Sequence, residues 1–202
     1  MINAVTEKTN IGVFGGSFDP PHIGHLITAR FAAEQYHIKK ILLMPVSIQP
    51  HKPDGPRSSA NDRLEMVQAI ATLDDLFEVE PCEVKRGGVS YTVDTLSKLR
   101  ERYSAKDFRL FWILGWDAAL DFPNWRNPEE ITQLCELIVL PRDGKTLADL
   151  PATLRGHFKL ADSPMIEISS TMIRERVRAG FPVRVLVGEK VMEIIRKRGL
   201  YR

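Results

Sequence analysis

Residues 11–26 read Ile-Gly-Val-Phe-Gly-Gly-Ser-Phe-Asp-Pro-Pro-His-Ile-Gly-His-Leu, a short apolar strand running through glycines and prolines into a helix. Ile11, Val13 and Phe14 suit a buried parallel strand. Gly15 and Gly16 let the backbone turn where a side chain would clash, and Pro20 and Pro21 suit a helix entry. A helix starting near His22 sets free backbone N–H groups and the positive end of its dipole beside the carboxyl end of the first strand, the usual ligand position in open α/β sheets. His22 and His25, three apart, share one face of that helix. The junction is therefore expected to be a nucleotide phosphate site.

Other glycine-rich phosphate loops fail on spacing. A P-loop ends in Gly-Lys-Ser/Thr, yet no lysine lies between Lys8 and Lys39. A dinucleotide fingerprint needs Gly-x-Gly-x-x-Gly, which Gly12, Gly15 and Gly16 do not supply. Histidine is left to meet the phosphate. Two rivals stay open from these residues alone: a zinc site, for which no third ligand stands at recognisable spacing, and a surface helix start with incidental histidines.

The 202 residues, 44% hydrophobic and 27% charged, are enough for one substantial core and few for two. One domain over residues 11–202 is expected, after a tail of residues 1–10. Basic and acidic side chains number 28 and 26 and are interleaved, so the net charge of +2 argues for a small anionic ligand and against nucleic acid. Cys82 and Cys135 are isolated, which fits a reducing cytoplasm, and no run approaches membrane-spanning length. Self-association is not legible.

Outward from the junction, strands and helices alternate. A helical stripe of Ile23, Leu26, Ile27, Phe31 and Ala32 is expected to pack on the sheet, and residues 41–44 form a second strand covered on both faces. Residues 46–57 hold Pro50, Pro53, Pro56 and Gly55 and read as an irregular loop, with His51, Lys52 and Arg57 as cations on the ligand side or as ordinary solvated charges. An amphipathic helix over 61–73 carries Leu64, Val67, Ile70 and Ala71, with Ser58, Ser59 or Asn61 as its cap. Residues 77–84 read as a third strand. Ser90, Tyr91 and Thr92 then open a helix running to 102, where Ser90 or Thr92 suits a plain cap.

Residues 109–114 read as a central strand running into Gly115 and Asp117, where an acid suits ribose hydroxyls. Trp125, on a turn after Pro123, offers a flat face to an aromatic base or packs in the core. Residues 136–140 form the next strand, 142–160 a variable excursion and 165–168 a short last strand. Ser169, Ser170 and Thr171 open a helix ending at Gly180, with Arg174 one turn inside: a second phosphate cradle. Residues 188–202 close with an amphipathic helix carrying Val191, Ile194 and Ile195 inward. The pattern implies an open, mainly parallel, doubly wound α/β sheet, Rossmann-like, with both cradles at its carboxyl edge.

Gly15-Gly16-Ser17-Phe18-Asp19-Pro20-x-His22-x-Gly24-His25 resembles the signature of the nucleotidyltransferase superfamily with a His-x-Gly-His motif. Ile-Ser-Ser-Thr-x-Ile-Arg at 168–174 resembles its second signature, and two signatures in order are more specific than either alone. The Ser90-Tyr91-Thr92 triplet, the spacing from Asp117 to Trp125 and the ending Gly199-Leu200-Tyr201-Arg202 resemble bacterial nicotinate mononucleotide adenylyltransferases; pantetheine-phosphate adenylyltransferases and glycerol-phosphate cytidylyltransferases share the first signature alone.

The resemblance implies adenylyl transfer from ATP to nicotinate mononucleotide, with Mg2+ accompanying ATP and no protein metal site. It implies catalysis by His22, His25 and Arg174. ATP binding falls to these three with Gly15, Gly16, Ser17, Phe18, Gly115, Asp117, Ser169 and Ser170. Lys52, Tyr91, Thr92 and Trp125 are implied at the mononucleotide. From a different class, a nucleotide-sensing module that binds without turnover would not need His22, His25 and Arg174 intact.

Overall fold

The structure, a computed structural model, describes residues 7–50 and 55–202. Six strands form one parallel sheet in the order β3-β2-β1-β4-β5-β6. The chain runs β1 (Thr9–Gly16), α1 (Ile23–Gln35), β2 (Ile38–Pro45), α2 (Ala60–Ala71), β3 (Phe77–Val79), α3 (Cys82–Arg86) and α4 (Thr92–Arg102). It continues β4 (Phe108–Gly115), α5 (Trp116–Asp121), α6 (Pro128–Leu134), β5 (Glu136–Leu140), α7 (Ala152–Arg155), β6 (Phe158–Leu160), α8 (Ser170–Arg178), α9 (Arg184–Val187) and α10 (Glu189–Arg198). The strand order reverses between β1 and β4, so the crevice beyond their carboxyl ends is the topological switch point.

The strands read as unbroken apolar runs because both faces of the sheet are covered, and successive side chains divide between two cores. On one face Phe14, Ile41, Leu43, Phe111, Ile113 and Ile138 meet α1, α2 and α8 to α10. On the other, Val13, Leu42, Met44, Leu110, Trp112 and Val139 meet α4 to α6. None of the helices among the described residues is long and apolar enough to cross a membrane.

Several expectations need correction. The tail does not reach residue 10, because Thr9 and Asn10 already pair with β4. The α1 stripe is rotated: Leu26, Ala29, Ala32 and Ala33 are buried while Phe31 is 41% exposed. Alanines let the helix lie close to the sheet, and the larger side chains go to its flanks. The third strand stops at Val79, because Glu80 turns its carboxylate onto the N–H of Cys82 (3.1 Å) and Pro81 has no donor for the ladder; α3 follows.

The excursion at 142–160 holds α7 and the sixth strand, too short for a periodic signal. β6 takes the sheet edge beside β5, and residues 165–168 leave the sheet without pairing. Ser59 caps α2, its Oγ accepting from the Asp62 N–H at 3.1 Å. Ser90 caps nothing: its Oγ accepts from the Ser47 N–H at 3.3 Å, tying the loop after β2 to the start of α4, whose N-cap is Tyr91.

Candidate active site

β1 delivers Gly15 and Gly16 to the switch point, although neither adopts a positive φ there. Their smallness serves packing: a Cβ on Gly15 would lie 2.9 Å from Cζ2 of Trp112, and one on Gly16 would lie 3.3 Å from the Phe18 ring. The chain then turns at Phe18, φ 48°, whose buried ring meets Phe14 at 5.6 Å and His25 at 5.1 Å between centroids. His22 caps α1 in extended geometry and stacks on His25, with centroids 3.6 Å apart and planes at 26°. Gly24 permits this, because a Cβ there would stand 3.0 Å from both His22 Nδ1 and Ile166 Cγ2.

The stacked pair has a defined proton arrangement. The backbone N–H of His22 donates to Nδ1 of His25 at 3.2 Å, so His25 carries its proton on Nε2. Burial holds His25 well below the usual histidine range and His22 at about 4, so both rings are neutral at pH 7, with His25 a donor through Nε2–H. Among the described residues His22 Nδ1 is buried without a hydrogen-bond partner.

This neutrality has a cost in acid. Because the folded pKa of His22 lies below the unfolded value, the unfolded chain binds more protons between the two, and stability is full above about pH 6.5 and falls as pH drops toward about 4. Between pH 7 and pH 5 the expected loss from His22 is about 2 kcal/mol. Urea unfolding of wild type and His22→Asn at both pH values checks this; equal pH dependence in the two proteins would disprove it.

The second cradle docks directly on the first. Arg174 Nη1 donates to the carbonyl of Asp19 at 2.9 Å, and Ser170 Oγ donates to the carbonyl of Pro20 at 2.8 Å, contacts spanning 155 and 150 residues of sequence. Ser169 caps α8 through the Met172 N–H. Arg174 Nη2 also reaches Thr171 Oγ1 at 3.0 Å, which fixes the guanidinium beside the helix start.

Ser17 lies past β1, its hydroxyl donating to Gln49 Oε1 at 3.0 Å. Gly115 ends β4 as the N-cap of α5, and Asp117, largely exposed, pairs with Arg142. Half-buried Trp125 tilts on Phe122 at 5.6 Å, so it packs and still offers surface. Arg126 follows it, 5.0 Å over the Tyr91 ring and 3.3 Å from Asp94 Oδ2, which joins the turn after α5 to the start of α4. His51 and Lys52 lie outside the described residues.

Sequence reasoning missed Arg63. It is 1% exposed and donates to the carbonyls of Ser17 (2.8 Å), Val46 (2.7 Å) and Ser47 (3.0 Å), clamping the chain where it leaves β1 and β2. Its signal was present: it stands at helical spacing from Met66, Val67 and Ile70, the buried stripe of α2. Among the described residues no group of three or more His, Cys, Asp or Glu could hold a metal ion.

The family model described as cytidylyltransferase-like matches residues 13–176. The curated protein named "Probable nicotinate-nucleotide adenylyltransferase" from Moorella thermoacetica is 37% identical over 208 residues, covering 100% of this chain and 95% of that protein. One of the same name from Opitutus terrae is 39% identical, covering 95% and 97%. The solved nicotinic acid mononucleotide adenylyltransferase of Plasmodium falciparum complexed with NaAD superposes with a TM-score of 0.74 at 18% identity, covering 96% and 97%, a likeness of fold.

Proposed function

The chain belongs to the cytidylyltransferase-like family, and from that premise we propose that it transfers the adenylyl group of ATP to nicotinate mononucleotide, giving deamido-NAD and pyrophosphate in NAD biosynthesis. The observation that carries the assignment of the site is the docking of Arg174 and Ser170 onto Asp19 and Pro20, which sets two signature cradles at one switch point.

No protein nucleophile is needed. The 5′-phosphate of the mononucleotide attacks the α-phosphorus of ATP in line with departing pyrophosphate, and the protein supplies alignment and charge stabilisation. His25 Nε2–H and the His22 ring face the phosphate oxygens. Ser17, Ser170 and Arg174 steady the phosphates beside Gly15, Gly16, Phe18 and Ser169, with Gly115 and Asp117 at the ATP sugar. Tyr91, Thr92, Trp125 and Lys52 receive the mononucleotide. Magnesium accompanying ATP would neutralise phosphate charge beside Ser17, Ser170 and Arg174, the residues that would steady the phosphates it travels with. The free thiols of Cys82 and Cys135 suit a cytoplasmic enzyme.

Pyrophosphate release from ATP with nicotinate mononucleotide, pantetheine phosphate and glycerol phosphate in parallel tests the activity. Turnover confined to either of the last two would overturn it. Arg174→Lys is expected to raise KM for ATP about five- to tenfold, since an ammonium cannot both hold the Asp19 carbonyl and fork onto a phosphate. A rise in the mononucleotide's KM alone would put Arg174 at the other substrate.

A further inference from the structure

Asp19, inside the first signature, is 4% exposed, and its carboxylate gathers four donors. Oδ2 accepts from the backbone N–H of Arg57 at 2.6 Å. Oδ1 accepts from the N–H of Ser58 at 3.2 Å, from the Ser58 hydroxyl, and from the Tyr201 hydroxyl at 2.8 Å. The carbonyl of the same residue seats Arg174. One side chain thus joins the histidine loop to residues 57–58, where the loop after β2 returns, and to Tyr201 beyond α10.

Docking of α10 does not explain the phenol. Val191 and Ile195 bury that helix, and Arg198 holds Glu65 of α2 at 2.9 Å. A phenylalanine ring would fill the same buried space, so the hydroxyl answers to Asp19 and to the Ser58 Oγ, itself a donor to Asp19, which it meets at 3.2 Å. Tyr201 adopts a left-handed conformation, φ 65°, and burial raises its pKa well above the ordinary tyrosine value, so it keeps its proton and donates.

We propose that Tyr201 is a positioning residue for adenylyl transfer: through Asp19 its hydroxyl fixes residues 57–58 and the seat of Arg174 against the histidine pair. The proposal rests on the activity assigned above.

Tyr201→Phe removes one oxygen and tests it. The expected result is a kcat about tenfold lower, each KM within about threefold, and a melting temperature only a few degrees down. Amide exchange at Arg57 and Ser58 should quicken about tenfold while amides of α10 keep their protection. Wild-type kcat with a lowered melting temperature, or unchanged exchange at 57–58, would overturn the proposal. In an Asp19→Asn background Tyr201→Phe should cost much less than in the wild type, only the Ser58 contact remaining, and a fully additive loss would show that it does not act through Asp19. If Asp19→Asn does not fold, the single variant and the exchange data decide. If the wild-type protein makes no dinucleotide, the assigned activity fails, and exchange at 57–58 still decides whether Tyr201 holds that segment through Asp19.

Discussion

His25→Ala is expected to lower kcat by about 100-fold to about 1,000-fold with little change in either KM, the loss typical of a single donor aimed at developing charge. The geometry gives the reason. His25 Nδ1 is occupied by the His22 N–H, and burial keeps the ring neutral, so the one proton it presents is on Nε2. A fixed neutral donor gains most when charge accumulates on the phosphate oxygens during transfer, which lowers the barrier without tightening the ground state. The same substitution strips an acceptor from the start of α1, so the melting temperature must be measured beside the kinetics. A folded variant retaining more than about a tenth of wild-type kcat would remove His25 from the chemistry.

A preference for nicotinate over nicotinamide mononucleotide of about tenfold to somewhat over a hundredfold in kcat/KM is the second large effect expected. The acid carries a full charge where the amide carries none. The start of α4, capped by no side chain, offers backbone N–H groups to it, and a hydrogen bond to a charged group contributes about 1.5 to 3 kcal/mol. Asp94 in the first turn would oppose a carboxylate if its own charge faced the pocket. It faces Arg126 instead, at 3.3 Å, and that guanidinium lies over the Tyr91 ring and adds positive charge beside the proposed pyridine site. Steady-state kinetics with the two mononucleotides decide the matter. Equal values, or a preference for the amide, would eliminate α4 as the source of discrimination and leave stacking on Trp125.

What the sequence determined by itself was local chemistry and its order along the chain. The glycine strand, the proline entry and the histidine helix start are set by neighbours within a few residues. The long apolar runs at 41–44 and 109–114 announce strands covered on both faces, and hence the parallel sheet and its switch point. The two signatures could be named from spacing, and family likeness supplied the reaction.

Tertiary structure decided everything that depends on contact between distant segments. Short or unpaired pieces were the errors: β6 is three residues long, and residues 165–168 pair with no strand. Gly15 looked like a turn glycine and is a packing glycine because Trp112 arrives from β4. Asp19 and Tyr201 carry no periodic signal, and the helical spacing of Arg63 announces its burial and not the carbonyls it holds. A buried charge survives only where carbonyls or donors from several elements converge on it, and that convergence exists only once the sheet has brought β1, β2, α2, α8 and the segment after α10 together.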